Sequence, residues 1–192
     1  MTFRPHLEVV IASTRPGRVG EAIGQWFLER ARADGRYRVG VSDLAELALP
    51  FMDEPNPPRL RQYVHEHTRR WSATVERADG FVFVVPEYNH GFCASIKNAL
   101  DYLHEEWAFK PVGFVSYGGV SAGMRGVQML KPVLTALRMI PLNDQVAVAN
   151  FAQYLREDAF QPAEIAELAS TALLDDMRRT LDTLGRLGTR VA

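Results

Sequence analysis

Residues 81–103, FVFVVPEYNHGFCASIKNALDYL, constrain the fold more than any other stretch. Phe81 to Val85 is an unbroken apolar run, so both faces of this strand must be covered. Pro86 is expected to end it. A short polar turn with Gly91 follows, and a helical pattern begins near Cys93. A doubly buried strand that feeds a helix is the unit of a parallel sheet layered between helices. In open sheets of this kind ligands bind at the carboxyl ends of the strands. The loop at that end carries Glu87, Tyr88, Asn89 and His90.

The rest of the chain repeats the unit. Leu7 to Ala12 reads as β1, and helical spacing through Val19, Ile23, Trp26 and Phe27 reads as α1. Tyr37 to Val41 alternates like a half-exposed β2 at a sheet edge. The four prolines from Pro50 to Pro58 mark a loop at the domain edge and a surface for a partner subunit. Leu60, Val64, His67, Trp71 and Val75 predict α2 from Arg59 onward, and residues 81–85 are β3, followed by α3 from about Cys93. Lys110 to Ser116 reads as β4. Met124 to Leu137 follows as α4, with a kink possible at Pro132. Within Ile140 to Ala149, β5 is best placed at Val146–Ala149. Phe151 to Phe160 is an irregular link. The last helix, α5, runs from about Pro162 to Leu187 with a stripe that includes Ile165, Leu168, Leu173 and Met177. The expectation is one α/β domain over residues 1–192, a three-layer sandwich with a parallel five-stranded sheet in the order 2-1-3-4-5.

Composition narrows the function. A net charge of -1 gives no electrostatic case for nucleic acid. The single cysteine excludes an internal disulfide and a cysteine-ligated metal cluster. The start of the sequence has no signal-peptide apolar core and no run approaches about 20 apolar residues, so a cytoplasmic protein without a membrane span is expected. Cys93 between Phe92 and Ala94 reads as a packed thiol. His65 and His67, two apart, do not share a helix face, so no metal site is expected there.

In this topology the loops after β1, β3 and β4 lie at one end of the sheet. The first, Ser13-Thr14-Arg15-Pro16-Gly17-Arg18-Val19-Gly20, precedes a helix whose unpaired amides attract an anion. Hydroxyls and the two arginines add donors for a phosphate. Neither a GxxxxGK[ST] nor a GxGxxG pattern is present, so a single terminal phosphate fits better than a triphosphate or a dinucleotide. The second loop, Pro86 to Phe92, offers Tyr88 to lie along a flat heterocycle and Asn89 to bond its edge. The third, Tyr117-Gly118-Gly119-Val120-Ser121-Ala122-Gly123, lets backbone approach a planar ring. Phosphate at one end and a flat ring at the other suit flavin mononucleotide (FMN). Each loop also has a plainer reading, as a helix cap, a tight turn and a flexible connection.

Ser13-x-Arg15 with Gly17-Arg18-x-Gly20, Pro86-Glu87-Tyr88-Asn89 with Lys97-Asn98-Ala99-x-Asp101, and Tyr117-Gly118-Gly119 together resemble the NADPH-dependent FMN reductase family over about residues 7–150. That family has a flavodoxin-like fold and includes quinone, chromate and azo-dye reductases. The resemblance implies FMN as cofactor, with NADPH or NADH as co-substrate. It places Ser13, Arg15, Arg18, Val19 and Gly20 at the phosphate, and Pro86, Glu87, Tyr88, Asn89, Tyr117, Gly118 and Gly119 around the ring. It also implies a homodimer or tetramer with the flavin near the subunit interface. Three positions depart from the family pattern: Ala12, Arg18 where many members have serine, and Cys93 where many have proline.

The implied reaction is hydride transfer from NAD(P)H to flavin N5 and on to a small acceptor such as a quinone, flavin or azo compound. No catalytic side chain is then required, because the chemistry is the flavin's. The alternatives are a flavodoxin-type electron carrier, a non-enzymatic FMN-binding protein, and a phosphate-binding α/β protein without flavin. A nearly neutral chain, lacking a strongly acidic docking face, favours the enzyme over the carrier.

Overall fold

The computed structural model describes residues 4–157 and 159–191, the last five by backbone alone. Five principal strands, β1 (His6–Ile11), β2 (Arg38–Asp43), β3 (Gly80–Tyr88), β4 (Pro111–Tyr117) and β5 (Val146–Val148), form a sheet in the order 2-1-3-4-5. All four neighbour pairings are parallel. The fifth position is split, because Ile140–Pro141 also pairs with the start of β4. Two antiparallel additions depart from the all-parallel expectation: Gly91–Phe92 folds back on β3, and Leu155–Arg156 pairs with Ala159–Phe160 inside the stretch expected to be irregular.

Alternation along β3 explains the three layers. Phe81, Phe83 and Val85 face one apolar layer with Trp71 and Val75 of α2 (Glu66–Arg77), Ile96 and Leu100 of α3 (Ala94–Asp101), and Val127 and Leu130 of α4 (Met124–Ala136). Val82 and Val84 face the other, with Ile23 and Phe27 of α1 (Gly20–Asp34) and Leu173 and Met177 of α5 (Glu164–Val191). Every residue from Phe81 to Val85 is at most 1% exposed, as an apolar run without alternation requires. No described helix is long and apolar enough to cross a membrane.

Three boundaries move from their expected places. Pro86 does not end β3, which continues to Tyr88. By alternation from Val84, whose carbonyl accepts the Ala12 amide, Pro86 would point its missing N–H toward the β1 side. There β1 has already ended at Ile11, so no ladder bond is lost. α2 starts at Glu66 instead of Arg59, and Leu60 and Val64 are exposed. Pro58–Leu60 forms a short 3-10 turn, and the Glu54 carboxylate accepts the Val64 and His65 amides, which sets the start of the helix from outside it. In α5 the buried stripe is rotated from the expected one, with Ile165 and Leu168 exposed and Ala166, Ser170, Leu173, Leu174 and Met177 buried. α4 runs through Pro132 as one helix.

The two histidines also differ from expectation. His65 lies outside α2 in extended backbone, so helical spacing does not apply to it. Its ring stacks on that of His67 with centroids 5.2 Å apart, and both face Asp53.

Candidate functional site

The carboxyl ends of β1, β3 and β4 bring the three loops together. The first contact is between the end of β1 and the start of α3. The carbonyl of Ala12 accepts hydrogen bonds from the Ser95 hydroxyl and, at 3.4 Å, the Cys93 thiol. Cys93 is buried, and burial pushes its thiol above the ordinary range, as a packed thiol requires.

α1 begins at Gly20, and no side chain caps it. Its first amides therefore lack a side-chain partner. Beneath that turn, Ser13 is fully buried and its Oγ has no hydrogen-bond partner. The Tyr117 hydroxyl comes to the same place from the end of β4. A Cβ on Gly20 would collide with both Ser13 Oγ and Tyr117 OH. Glycine is thus required here for close approach, not for a left-handed turn. Burial raises the Tyr117 phenol well above its ordinary range, outweighing the opposite influence of Ser13, so it is protonated and can donate. An uncapped helix start, an orphaned buried hydroxyl and a protonated phenol form a donor-rich cradle suited to an anion.

The two arginines of the loop differ. Arg15 is exposed, and among the described residues its side chain has no ion pair. Arg18 is half-buried and committed to protein groups. It pairs with both carboxylate oxygens of Asp43, at 2.5 and 2.6 Å, and donates to the Ser13 carbonyl at 2.8 Å. The bond to Asp43 is the main reason its guanidinium is held charged above the ordinary value. Asp43 in turn caps the short helical turn Leu44–Leu47 by accepting the Ala45 amide. Sequence reading placed Arg18 at the phosphate and did not single out Asp43. The D-x-x-E spacing of Asp43 and Glu46 is a capping signal that could have pointed to it.

The second loop is a tight hairpin. Glu87 pairs with Phe92 and Tyr88 with Gly91, leaving Asn89 and His90 as a two-residue turn, both at positive φ. Tyr88 is 41% exposed and Asn89 is exposed, so both are open to a ligand. Pro86 is buried beside Tyr117 of the neighbouring strand. Glu87 turns away to the start of α4, where its carboxylate accepts the Arg125 amide and pairs with the Arg125 guanidinium at 3.2 Å. Burial opposes its ionisation, but the Ser121 hydroxyl, the Arg125 amide and the Arg125 charge together bring it below the usual range. Arg125 carries no local sequence signal for this role.

The third loop is held by the segment after β5. The Gly118 amide donates to the Val148 carbonyl, while the Gly118 and Gly119 carbonyls accept from Phe151 and Asn150. A Cβ on Gly118 would stand 2.9 Å from the Gly123 nitrogen, so the loop folds this tightly only with glycine there. The Gly118 amide is therefore spoken for, whereas Gly119 is exposed.

The proline-rich stretch packs on the same end. Asn98 donates to the Pro50 carbonyl and accepts the Met52 amide, and Tyr102 donates to Asp53. Between this stretch and the 13–20 loop lies a cleft of about 480 Å³, lined by Thr14, Leu44, Ala48, Phe51, Ala94 and Ser95. Among the described residues no group of three or more His, Cys, Asp or Glu side chains is placed to hold a metal ion.

Known proteins resemble the chain over most of its length. The chain is 39% identical over 141 residues to an NAD(P)H-dependent FMN reductase of Schizosaccharomyces pombe, covering 72% of this chain and 70% of that protein. It is 24% identical over 140 residues to an FMN-dependent NADPH-azoreductase of Staphylococcus saprophyticus, covering 72% and 74%. A solved structure of a flavoenzyme NAD(P)H:(acceptor) oxidoreductase from Paracoccus denitrificans superposes with a TM-score of 0.72, covering 92% of this chain and 98% of that one at 20% identity. That likeness shows the fold. The sequence model of the NADPH-dependent FMN reductase family matches residues 5–153, and the chain belongs to that family.

Proposed function

We propose that the protein is an FMN-dependent NAD(P)H oxidoreductase that reduces a small acceptor such as a quinone, flavin or azo compound. The observation that carries the reading is the orphaned Ser13 hydroxyl beneath the uncapped start of α1, at a glycine whose Cβ would fill the space. A buried hydroxyl without a partner is costly unless a ligand satisfies it. Ser13, Arg15, Tyr117 and the amides near Val19 and Gly20 would hold the phosphate. Pro86, Tyr88, Asn89 and the backbone at Gly118 and Gly119 would border the ring, with Gly119 the freer of the two glycines. Glu87 acts from behind, fixing the hairpin against α4.

Bound FMN would supply the hydride chemistry between NAD(P)H and the acceptor. The protein's part is positioning. The Arg15 charge and the α1 amides neutralise the phosphate, and the exposed Tyr88 side chain offers a flat apolar surface at the ring's edge. No side chain has to move a proton.

The whole chain, 1–192, is taken as one cytoplasmic domain that works as a homodimer or tetramer. Phe51 at 86% and Val120 at 84% exposure, on loops at the site end, support subunit contacts there. The direct test is FMN titration by flavin fluorescence, followed by NAD(P)H oxidation with FMN and a quinone. Arg15→Ala is expected to weaken FMN binding about tenfold, the size of one lost charge-assisted bond. Unchanged FMN affinity in that variant would refute the phosphate assignment.

A further inference from the structure

The departure at Arg18 points to a role that differs from that of Arg15. We propose that Arg18 and Asp43 are a positioning pair that sets the shape of the 13–20 loop, and that Arg18 is not a phosphate ligand. The proposal rests on the flavin reading above.

Three observations carry it. The first is geometry. Arg18 meets Asp43 as a fork on a fork, Nη1 to Oδ1 at 2.5 Å and Nη2 to Oδ2 at 2.6 Å. Bidentate pairing of this kind fixes direction as well as distance. Asp43 is itself held, since its Oδ1 accepts the Ala45 amide at 2.9 Å. The second is what the pair grips. Nη1 also donates to the carbonyl of Ser13, the residue whose orphaned hydroxyl lies beneath α1. Asp43 ends β2 directly opposite Ile11, the last residue of β1. The pair therefore ties the departing loop to the neighbouring strand end and fixes the peptide that aims Ser13 Oγ.

The third is charge. The Arg18 and Asp43 side chains are 13% and 9% exposed, so they compensate each other in a poorly screened setting. Glu21 stands 3.5 Å from Nη2. Arg18 thus offers no surplus positive charge to an anion, and turning to one would leave Asp43 unpaired in a largely buried place. This leaves Arg15 and the α1 amides as the charged and dipolar attraction for the phosphate.

Asp43→Asn separates the two roles by sign. The amide keeps the shape and can still accept the Ala45 amide, but loses the charge and one acceptor facing Arg18. If Arg18 were a ligand restrained by Asp43, the variant would free it, and FMN affinity would stay the same or rise. A positioning pair predicts about a tenfold loss of FMN affinity, the scale of a charge-assisted bond. Riboflavin, which has no phosphate, should bind the variant as it binds the wild type. Both affinities are read by quenching of flavin fluorescence.

Arg18→Lys provides a second reading that keeps the charge and removes the fork. It should show the same selective loss, whereas a simple charge ligand would tolerate it. Unchanged or tighter FMN binding in Asp43→Asn would overturn the proposal. So would an equal loss of FMN and riboflavin in both variants, because that marks general damage to the fold. A wild-type protein that binds neither flavin would instead sink the flavin reading itself, and the pair's role with it.

Discussion

At the scale of single residues, Gly20 carries a sharp constraint. Only Gly17, Gly35 and Gly123 among the described glycines use positive φ. Gly20 instead starts a helix and is required by what lies beneath it: Ser13 Oγ and Tyr117 OH occupy the space a Cβ would need. Gly20→Ala must push one hydroxyl aside or shift the first turn of α1. The expected result is a loss of about 2 kcal/mol of stability, typical of overpacking, together with FMN binding weakened more than riboflavin binding. Thermal or denaturant unfolding reads the first and flavin titration the second. A variant with wild-type FMN affinity would show that the cradle is not where the phosphate binds. The motif Ser13-x-Arg15 with Gly20 was legible in the sequence as a phosphate loop. The involvement of Tyr117 at the same point was not, because 96 residues of chain lie between it and Gly20 and only the sheet order brings them together.

At the scale of elements, the 87–92 hairpin shows how a local rule is overridden. Proline after an apolar run reads as the end of a strand. Here the strand continues, because the neighbour that would have needed the Pro86 N–H has already stopped. The hairpin then closes through Asn89 at φ 50° and His90 at φ 66°. Two positive φ values suit a two-residue turn in which the second position favours glycine. His90 tolerates the left-handed region at a cost, so His90→Gly is expected to stabilise the protein by about 1 kcal/mol. Denaturant unfolding would measure it, and destabilisation would mean that the His90 side chain makes a contact worth more than the backbone strain. The late start of α2 follows similar logic. Its apolar spacing reads as a helix from Arg59, but Glu54 captures the amides of Val64 and His65 from a distant loop and delays the helix to Glu66.

At the scale of the whole molecule, the buried carboxylate of Glu106 links elements that share no sequence signal. It accepts hydrogen bonds from Ser72 of α2 at 2.7 Å and from Tyr63 at 2.8 Å, and Arg61 lies 3.4 Å away. Burial favours the neutral acid, but the hydroxyls, its own backbone amide and the Arg61 charge outweigh that and hold the group below its ordinary 4.5. A carboxyl with a lowered folded value contributes stability above its unfolded value and loses it as pH falls through the folded one. Glu106→Gln should therefore cost about 2 kcal/mol at neutral pH, and the gap from wild type should narrow below about pH 4.5. Urea unfolding at pH 7 and pH 4 would test this; a gap that does not depend on pH would show that the charge is not what matters. By itself, the sequence determined the layer architecture, the place of each principal strand along the chain and the chemistry of the three loops, since hydrophobic period and turn chemistry are local and repeat with each βα unit. Only the tertiary structure decided which polar groups in those loops are free and which are spent. Arg18 is taken by Asp43, Glu87 by the start of α4 and the Gly118 amide by Val148, because a hydrogen bond depends on which atoms the packed sheet brings into hydrogen-bonding distance, and no local pattern encodes that.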